Sequence, residues 1–224
     1  MTESVSSFLL TCRDLIQSIV AAVDARDAYT SHHSDRVAAM AVVLARVLHL
    51  SEDDTITVQV SAFAHDIGKI SMSDAVLRKA GPLTDAEWEE MRRCPVTGYD
   101  ILRKVPQFQR VALIVRHHHE RWDGRGYPDQ LAGTAIPLGA RIIAVADSID
   151  AMMSSRSYRP AMTAPVCHHE IEKNSGVMYD PQVVAAAMNC WDELVSRYTE
   201  VETPPTPYFD RLQLEHTRQA HDYL

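Results

Sequence analysis

Residues 51–69 read SEDDTITVQVSAFAHDIGK. Ser51 suits a helix N-cap, because its hydroxyl can accept from a backbone N–H that the first turn leaves unpaired. Glu52, Asp53 and Asp54 then put negative charge where the helix dipole is positive. Val58, Val60 and Phe63 are apolar positions of the helix that follows, and Gly68 is placed to stop it. The pair His65-Asp66 therefore falls at the helix end. Adjacent helical residues point about 100° apart, so both side chains can reach one ion only from such an end. Lys69 follows at once, which sets an ammonium beside whatever is held there.

The flanking sequence is helical in both directions. Residues 5–26 place Phe8, Leu9, Leu15, Ile16, Ile19, Val20 and Val23 at helical spacing. A second helix is predicted over 34–48, with Val37, Met40, Ala41, Leu44, Val47 and Leu48 inward. Downstream, Thr84-Asp85-Ala86-Glu87 reads as a capping box. Pro95 breaks the helix it opens, and a new one is predicted over 96–105. Further periodic segments cover 107–119, 138–153, 165–173 and 181–197. Between the first two lies a loop holding Gly124, Gly126, Gly133 and Gly139, four of the chain's eight glycines. Val/Ile alternation bounded by turns is missing, so the expected fold is all-α, a compact helical bundle. Thr203-Pro204-Pro205-Thr206-Pro207 reads as a stiff linker before a short tail. The expected organisation is an N-terminal helix over 1–26, a main domain over 27–200 and a linker with tail over 201–224.

Composition narrows the function. Hydrophobic residues make up 46% of 224, enough for one core. The formal charge of -8 argues against broad, non-specific nucleic-acid binding, which needs a basic face. Four scattered cysteines, with no C-x-x-C pair, suggest neither a disulfide framework nor a zinc ribbon. No apolar run approaches a membrane span and no basic leader opens the chain, so the expectation is a soluble cytoplasmic protein with no membrane partner.

Four clusters carry chemistry: His32-His33, His65-Asp66, His117-His118-His119 with Glu120, and Asp147 with Asp150. Histidine with carboxylate is a ligand set for a first-row metal, whereas magnesium or calcium would favour oxygen alone. A single histidine is more often a core or surface residue than a ligand. His32, His49, His117, His168, His169, His216 and His221 are read that way.

The order and flanks of these clusters resemble the HD-GYP family, a branch of the HD metal-dependent phosphohydrolases. The resemblance runs from Asp27-x-Tyr29-Thr30-x-x-His33-Ser34-x-Arg36-Val37 through His65-Asp66-Ile67-Gly68-Lys69-Ile70 and Leu77-x-Lys79-x-Gly81-x-Leu83-Thr84. It continues in His118-His119-Glu120-Arg121-Trp122-Asp123-Gly124-Arg125-Gly126-Tyr127-Pro128, then Ile136-Pro137-Leu138, Asp147, Asp150-Ala151 and Tyr179-Asp180-Pro181. Membership implies a helical bundle that holds two divalent metals, iron or manganese, and hydrolyses a cyclic dinucleotide, cyclic di-GMP first among them, to pGpG or GMP. By motif, the implied ligands are His33, His65, Asp66, His118, His119 and Asp147, with Asp66 bridging. Lys69 would steady phosphate oxygens. Arg156 and Arg159 are candidates for substrate contact, a structural ion pair being an equal alternative. Tyr127, in the Gly-Tyr-Pro stretch, would line the substrate pocket, unless that loop is instead a docking surface for a cyclase or other signalling protein. The first helix is expected either to pair with another subunit, giving a homodimer, or simply to cover the bundle.

The sequence departs from the family pattern at Arg93-Cys94-Pro95-Val96-Thr97-Gly98, where members usually carry a histidine ligand for the second metal. Cys94 is therefore either a thiolate ligand or a small buried hydrophobe that leaves the second site one donor short. Tyr29 stands where three-metal members carry Glu, and His32 where Gly is common. Two rival readings accompany the enzyme: a catalytically impaired module that binds the dinucleotide, and a phosphohydrolase of another phosphate ester.

Overall fold

The structure is a computed structural model that describes residues 5–24, 26, 32–79, 81–155 and 160–202. Its helices are α1 (Val5–Asp24), α2 (His33–Val47), α3 (Glu52–Ala64), α4 (Asp74–Leu77), α5 (Asp85–Arg92), α6 (Cys94–Leu102), α7 (Gln109–His117), α8 (Leu138–Met153), α9 (Ala164–Lys173), α10 (Pro181–Asn189) and α11 (Trp191–Glu202). A tighter 3-10 turn, Ile67–Ser71, follows α3. The described residues contain no strand, only isolated bridges at Asp123–Ala132 and Ser175–Tyr179. The expected all-α bundle is what forms. No helix among them is long and apolar enough to cross a membrane.

The local signals act as their chemistry requires. The Ser51 hydroxyl accepts from Asp54 N at 3.2 Å, and Asp180 caps α10 by accepting from Gln182 N at 2.8 Å. Thr84 and Glu87 form the reciprocal capping box. Pro95 sits in the first turn of α6, where a missing N–H leaves no helical bond unmade.

Helix α3 separates two cores. One face gives Val58 and Ala62 to a large core built on α2 (Val37, Met40, Leu44), α8 (Ile142, Ile143, Ile149) and the later helices (Val183, Leu194). The other gives Val60 and Ala64 to a smaller core with Leu9, Ile16 and Val20 of α1 and Val111 and Val115 of α7. His65 and Asp66 thus emerge where the two cores meet. A third small cluster, Met72, Val76 and Cys94, lies beneath α4, α5 and α6.

Two expectations are corrected. Leu15 and Ile19 are 65% and 41% exposed, because the buried stripe of α1 runs through Leu9, Ile16, Val20 and Val23 and its neighbours in sequence turn outward. The helix expected over 181–197 is two helices. Cys190 leaves helical geometry at φ -124°, ψ 25°, and the redirected chain sets Trp191 edge-on to His168 while burying Leu194 and Tyr198. The linker and tail after 202 lie outside the described residues.

Candidate metal centre

Each donor sits at a helix end or on a buried helix face. His33 opens α2, His65 ends α3, Asp66 precedes the 3-10 turn and His118 ends α7, with His119 next. Two groups of donor atoms result, each within 4.8 Å: His33, His65 and Asp66 on one side, and Asp66, His118 and His119 on the other. Asp66 belongs to both. Asp147, on α8, brings Oδ1 to 3.5 Å from His33 Nε2, at the edge of the first group.

Hydrogen bonds on the far side of the rings decide what faces inward. His33 Nδ1 lies 2.6 Å from Asp150 Oδ2, His65 Nδ1 2.6 Å from Ala62 O and His118 Nδ1 2.6 Å from Val115 O. Acceptors there fix the proton on Nδ1 and leave Nε2 as a lone pair. His33 Nε2 and His65 Nε2 then face each other at 3.2 Å, with Asp66 Oδ2 at 3.7 and 3.4 Å. Two ring nitrogens and a carboxylate oxygen thus crowd into one small buried space. His118 Nε2 is buried and has no hydrogen-bond partner. A divalent cation between these atoms would satisfy all of them, so the donor set fits the metal centre that its residue types imply.

The electrostatics agree. Burial, then the neighbouring His65, lowers the His118 pKa to about 4, and burial with His118 holds His119 well below its usual value. Both rings are therefore neutral at neutral pH and free to offer a lone pair. Burial of Asp66 would raise its pKa, but Lys69 and then His65, His33 and His118 outweigh it and keep the carboxyl ionised. For His33, burial opposes the charge, and the Asp150 hydrogen bond with the Asp147, Asp150 and Asp66 carboxylates overcomes it and raises the pKa. Asp150 is itself clamped by Arg36 through Nε to Oδ1 at 2.5 Å and Nη2 to Oδ2 at 3.3 Å.

Lys69 Nζ stands 2.7 Å from Asp66 Oδ2 with its side chain 16% exposed, at the rim of the cluster. Tyr127 packs its ring on His119, centroids 4.9 Å apart, so the Gly-Tyr-Pro stretch borders the second group. The loop around it is stapled to the bundle. Arg116 grips Asp129 through two bonds of 2.7 Å, His117 Nε2 adds a third at 2.9 Å, and Asp129 N donates to Glu120 Oε1 at 2.7 Å. Arg121 pairs with Asp123, Arg141 with Asp180, and Trp122 N and Asp123 N donate to Met178 O and Val177 O.

Cys94 does not join either group. Its side chain is 2% exposed and packs with Met72 and Val76. Burial, with Asp66 adding to it and Lys69 opposing, pushes the thiol far above its usual range. The geometry favours the buried hydrophobe over the thiolate ligand. Arg156 and Arg159 lie outside the described residues, as does the 27–31 stretch. His32, left among the non-ligands, is exposed and adopts φ +59°, the left-handed region in which Gly is the usual residue.

Sequence reasoning grouped Asp150 with Asp147 but gave it no role, and it passed over Arg36, Asp129 and Glu120 as contacts. Charged residues spaced far along a chain give no sign of which carboxylate meets which ring. The one readable hint was Asp150 itself, three positions after Asp147 on one helix face.

Comparison with known proteins agrees with the geometry. The HD domain family matches residues 12–183. The cyclic di-GMP phosphodiesterase response regulator RpfG of Xanthomonas campestris pv. campestris is 41% identical over 178 residues, covering 79% of this chain and 47% of RpfG. The 3'3'-cGAMP-specific phosphodiesterase 3 of Vibrio cholerae is 38% identical, covering 80% of this chain and 39% of that protein. The chain thus spans less than half the length of these two curated relatives. The crystal structure of a cyclic GMP-AMP specific phosphodiesterase of V. cholerae, V-cGAP3, superposes with a TM-score of 0.63 at 20% identity, covering 86% of this chain and 54% of that one. At that identity the likeness speaks for the fold.

Proposed function

The chain belongs to the HD domain family, with the motifs of its HD-GYP branch, and from that premise we propose that it is a metal-dependent phosphodiesterase of cyclic dinucleotides, cyclic di-GMP first. The observation that carries this reading is Asp66, which belongs to both donor groups and could thus be shared by two ions. The relatives named for cyclic di-GMP and for 3'3'-cGAMP support the substrate class. Imidazole-rich donors favour a first-row ion, iron or manganese. Bound there, such ions would activate water and offset charge on the phosphoryl oxygens.

The chain's own residues do the rest. His33, His65, His118 and His119 would supply ring nitrogens, and Asp147 is placed to complete the first group. Lys69 holds its ammonium against Asp66, where it can steady a non-bridging phosphate oxygen as charge develops there. This cation matters because the chain as a whole carries -8 and repels the dinucleotide. Tyr127, stacked on His119, forms a wall against which a base or ribose can lie. Arg156 and Arg159 extend this contact in the proposal. The products are pGpG or GMP, and the compartment is the cytoplasm.

The second reading, a module that binds the dinucleotide without turning it over, draws on Cys94, which leaves the second group with fewer donors. Metal content and turnover of Asp66→Ala and Lys69→Ala, measured on the same preparations against cyclic di-GMP, 3'3'-cGAMP and cyclic di-AMP, decide between them. Asp66→Ala is expected to lose metal and activity together. Lys69→Ala should keep its metal and fall about 100–1000-fold in kcat, the range for removing one charge-stabilising contact. Full turnover in metal-free Asp66→Ala would sink the mechanism, and tight binding without turnover in the metal-loaded wild type would favour the module.

A further inference from the structure

Asp66 divides the centre into unequal halves. Three donors converge on the first side, His33, His65 and Asp66, and Asp147 Oδ1 lies 3.5 Å from His33 Nε2, so a fourth protein ligand is at hand. On the second side the group is Asp66, His118 and His119 alone among the described residues. Around this half the protein supplies apolar and aromatic surface. Cys94, Met72 and Val76 form one buried cluster with Leu77, Leu83 and Met91 against it, and the Tyr127 ring lies over His119.

The backbone that carries Cys94 is fixed. The carbonyl of Cys94 rests on Gly68 so closely that a methyl there would lie 1.9 Å from its oxygen. Gly98, one turn on in α6, is packed against Val115 in the same way, 2.9 Å from where its own methyl would be. The start of α6 is therefore packed tightly on the residues after Asp66 and on α7. Only rotation of the sulfur out of its contacts with Met72 and Val76 could offer it, at the cost of an apolar burial.

We propose that the two halves hold metal with unequal affinity: a tight ion on His33, His65, Asp66 and Asp147, and an exchangeable ion on Asp66, His118 and His119 whose open positions are filled by solvent or by the phosphate of the substrate. The inference rests on the metal-centre reading above and adds to it which ion is lost first. A three-donor position with room for an exogenous ligand is the arrangement that admits substrate oxygen. Dinucleotide and second ion then bind cooperatively, each raising the other's affinity by the same factor.

The test is metal binding to the full chain, stripped of metal and titrated with manganese or cobalt(II), in the wild type, Cys94→Ser and Cys94→His. Wild type should retain one equivalent through gel filtration in metal-free buffer and take up a second with a Kd at least about tenfold weaker. Cys94→Ser should match it. Cys94→His, with an imidazole in place of the thiol, should retain two. The cobalt(II) protein should show no sulfur-to-cobalt charge-transfer band. Two equal equivalents in wild type that fall to one in Cys94→Ser, or a charge-transfer band that Cys94→Ser removes, would overturn the inference and make Cys94 a ligand. If Cys94→His does not fold, the serine variant and the cobalt spectrum decide alone. Failure of wild type to bind any metal, at concentrations up to millimolar, overturns the underlying reading as well, so the two failures are distinct.

Discussion

The histidine–aspartate centre and the glycine-rich loop beside it are held in place by opposite means. In the centre, the rings are fixed by short bonds from Nδ1 to buried acceptors, two of them backbone carbonyls, and His65 and His118 are each 1% exposed. In the loop, fixation comes from guanidinium–carboxylate pairs nearer solvent: Arg116 with Asp129 and Arg121 with Asp123. The difference follows from what each region must present. Ligand lone pairs have to converge to within tenths of an ångström, which burial achieves. A wall that receives a charged substrate, as proposed for this loop, must stay open to water, where a bidentate ion pair is the strongest local staple.

The largest expected contrast comes from one glycine in each region. A methyl at Gly68 would meet the Cys94 carbonyl at 1.9 Å, and one at Gly126 would meet Arg121 N and Glu120 Cα at 2.4 Å. Both clashes are with backbone, so something must move. Gly68→Ala forces α6 away from the residues after Asp66, costs about 1–3 kcal/mol or more of stability and should release metal. Gly126→Ala pushes the loop off the Glu120–Arg121 backbone that follows His119, and should raise KM with a smaller loss of metal than Gly68→Ala. Thermal melts and metal analysis of the two variants check this. Equal metal loss in both would mean that the loop and the centre are one mechanical unit.

Next in size is Asp150→Asn. Asp150 belongs to neither donor group, but it holds His33 Nδ1 and is itself clamped by Arg36. The amide keeps the shape and loses the charge that balances both partners. Removing such a supporting carboxylate costs about 10–100-fold in metal affinity. The same change on the loop, Asp123→Asn, should leave metal affinity unchanged. A metal titration of the pair tests whether support for the centre is confined to buried partners.

How much of this was legible in sequence follows the same division. Helix positions came from caps and periodicity, which are local: Ser51, the Thr84–Glu87 box and Pro95 all act within a few residues. The donor types and their order were also readable, since His65-Asp66 and His118-His119 are adjacent in the chain. What binds the back of each ring was not. Ala62 O and Val115 O are carbonyls, which have no sequence signature, and Asp150 lies 117 residues from His33. The environment of Cys94 was hidden likewise, because Met72 and Val76 reach it only through the fold. The break at Cys190 escaped notice because no Gly or Pro marks it and packing of Trp191 causes it. Local chemistry is written in the sequence, whereas the partner of a buried polar atom depends on a tertiary contact.

The smallest effect separates the two regions by pH. Arg116 is the first cause holding the Asp129 pKa at about 2, with burial opposing and His117 helping, and Arg121 does the same for Asp123, also about 2. Carboxylates lowered in this way stabilise the fold above their unfolded pKa near 4, and that contribution is lost only as pH falls through about 2. The centre responds earlier. His118 is lowered to about 4 and His119 well below its usual value, so between the unfolded histidine pKa near 6.5 and about 4 the unfolded chain takes up protons that these two rings in the folded chain do not. Stability of the metal-free protein therefore falls as pH drops through that window. His33, whose pKa is raised, works in the opposite direction, one ring against two. Asp129→Asn should lower the Tm of the metal-free protein by about 1–4 °C, the scale of a partly exposed ion pair in a chain of this size. That decrement should be the same at pH 7 and pH 5, while the melting temperature of both proteins is lower at pH 5. Melts of wild type and Asp129→Asn at the two pH values measure both quantities. A decrement that shrinks at pH 5 would show that the loop staple is coupled to protonation of the centre, and the two regions would then have to be treated as one electrostatic system.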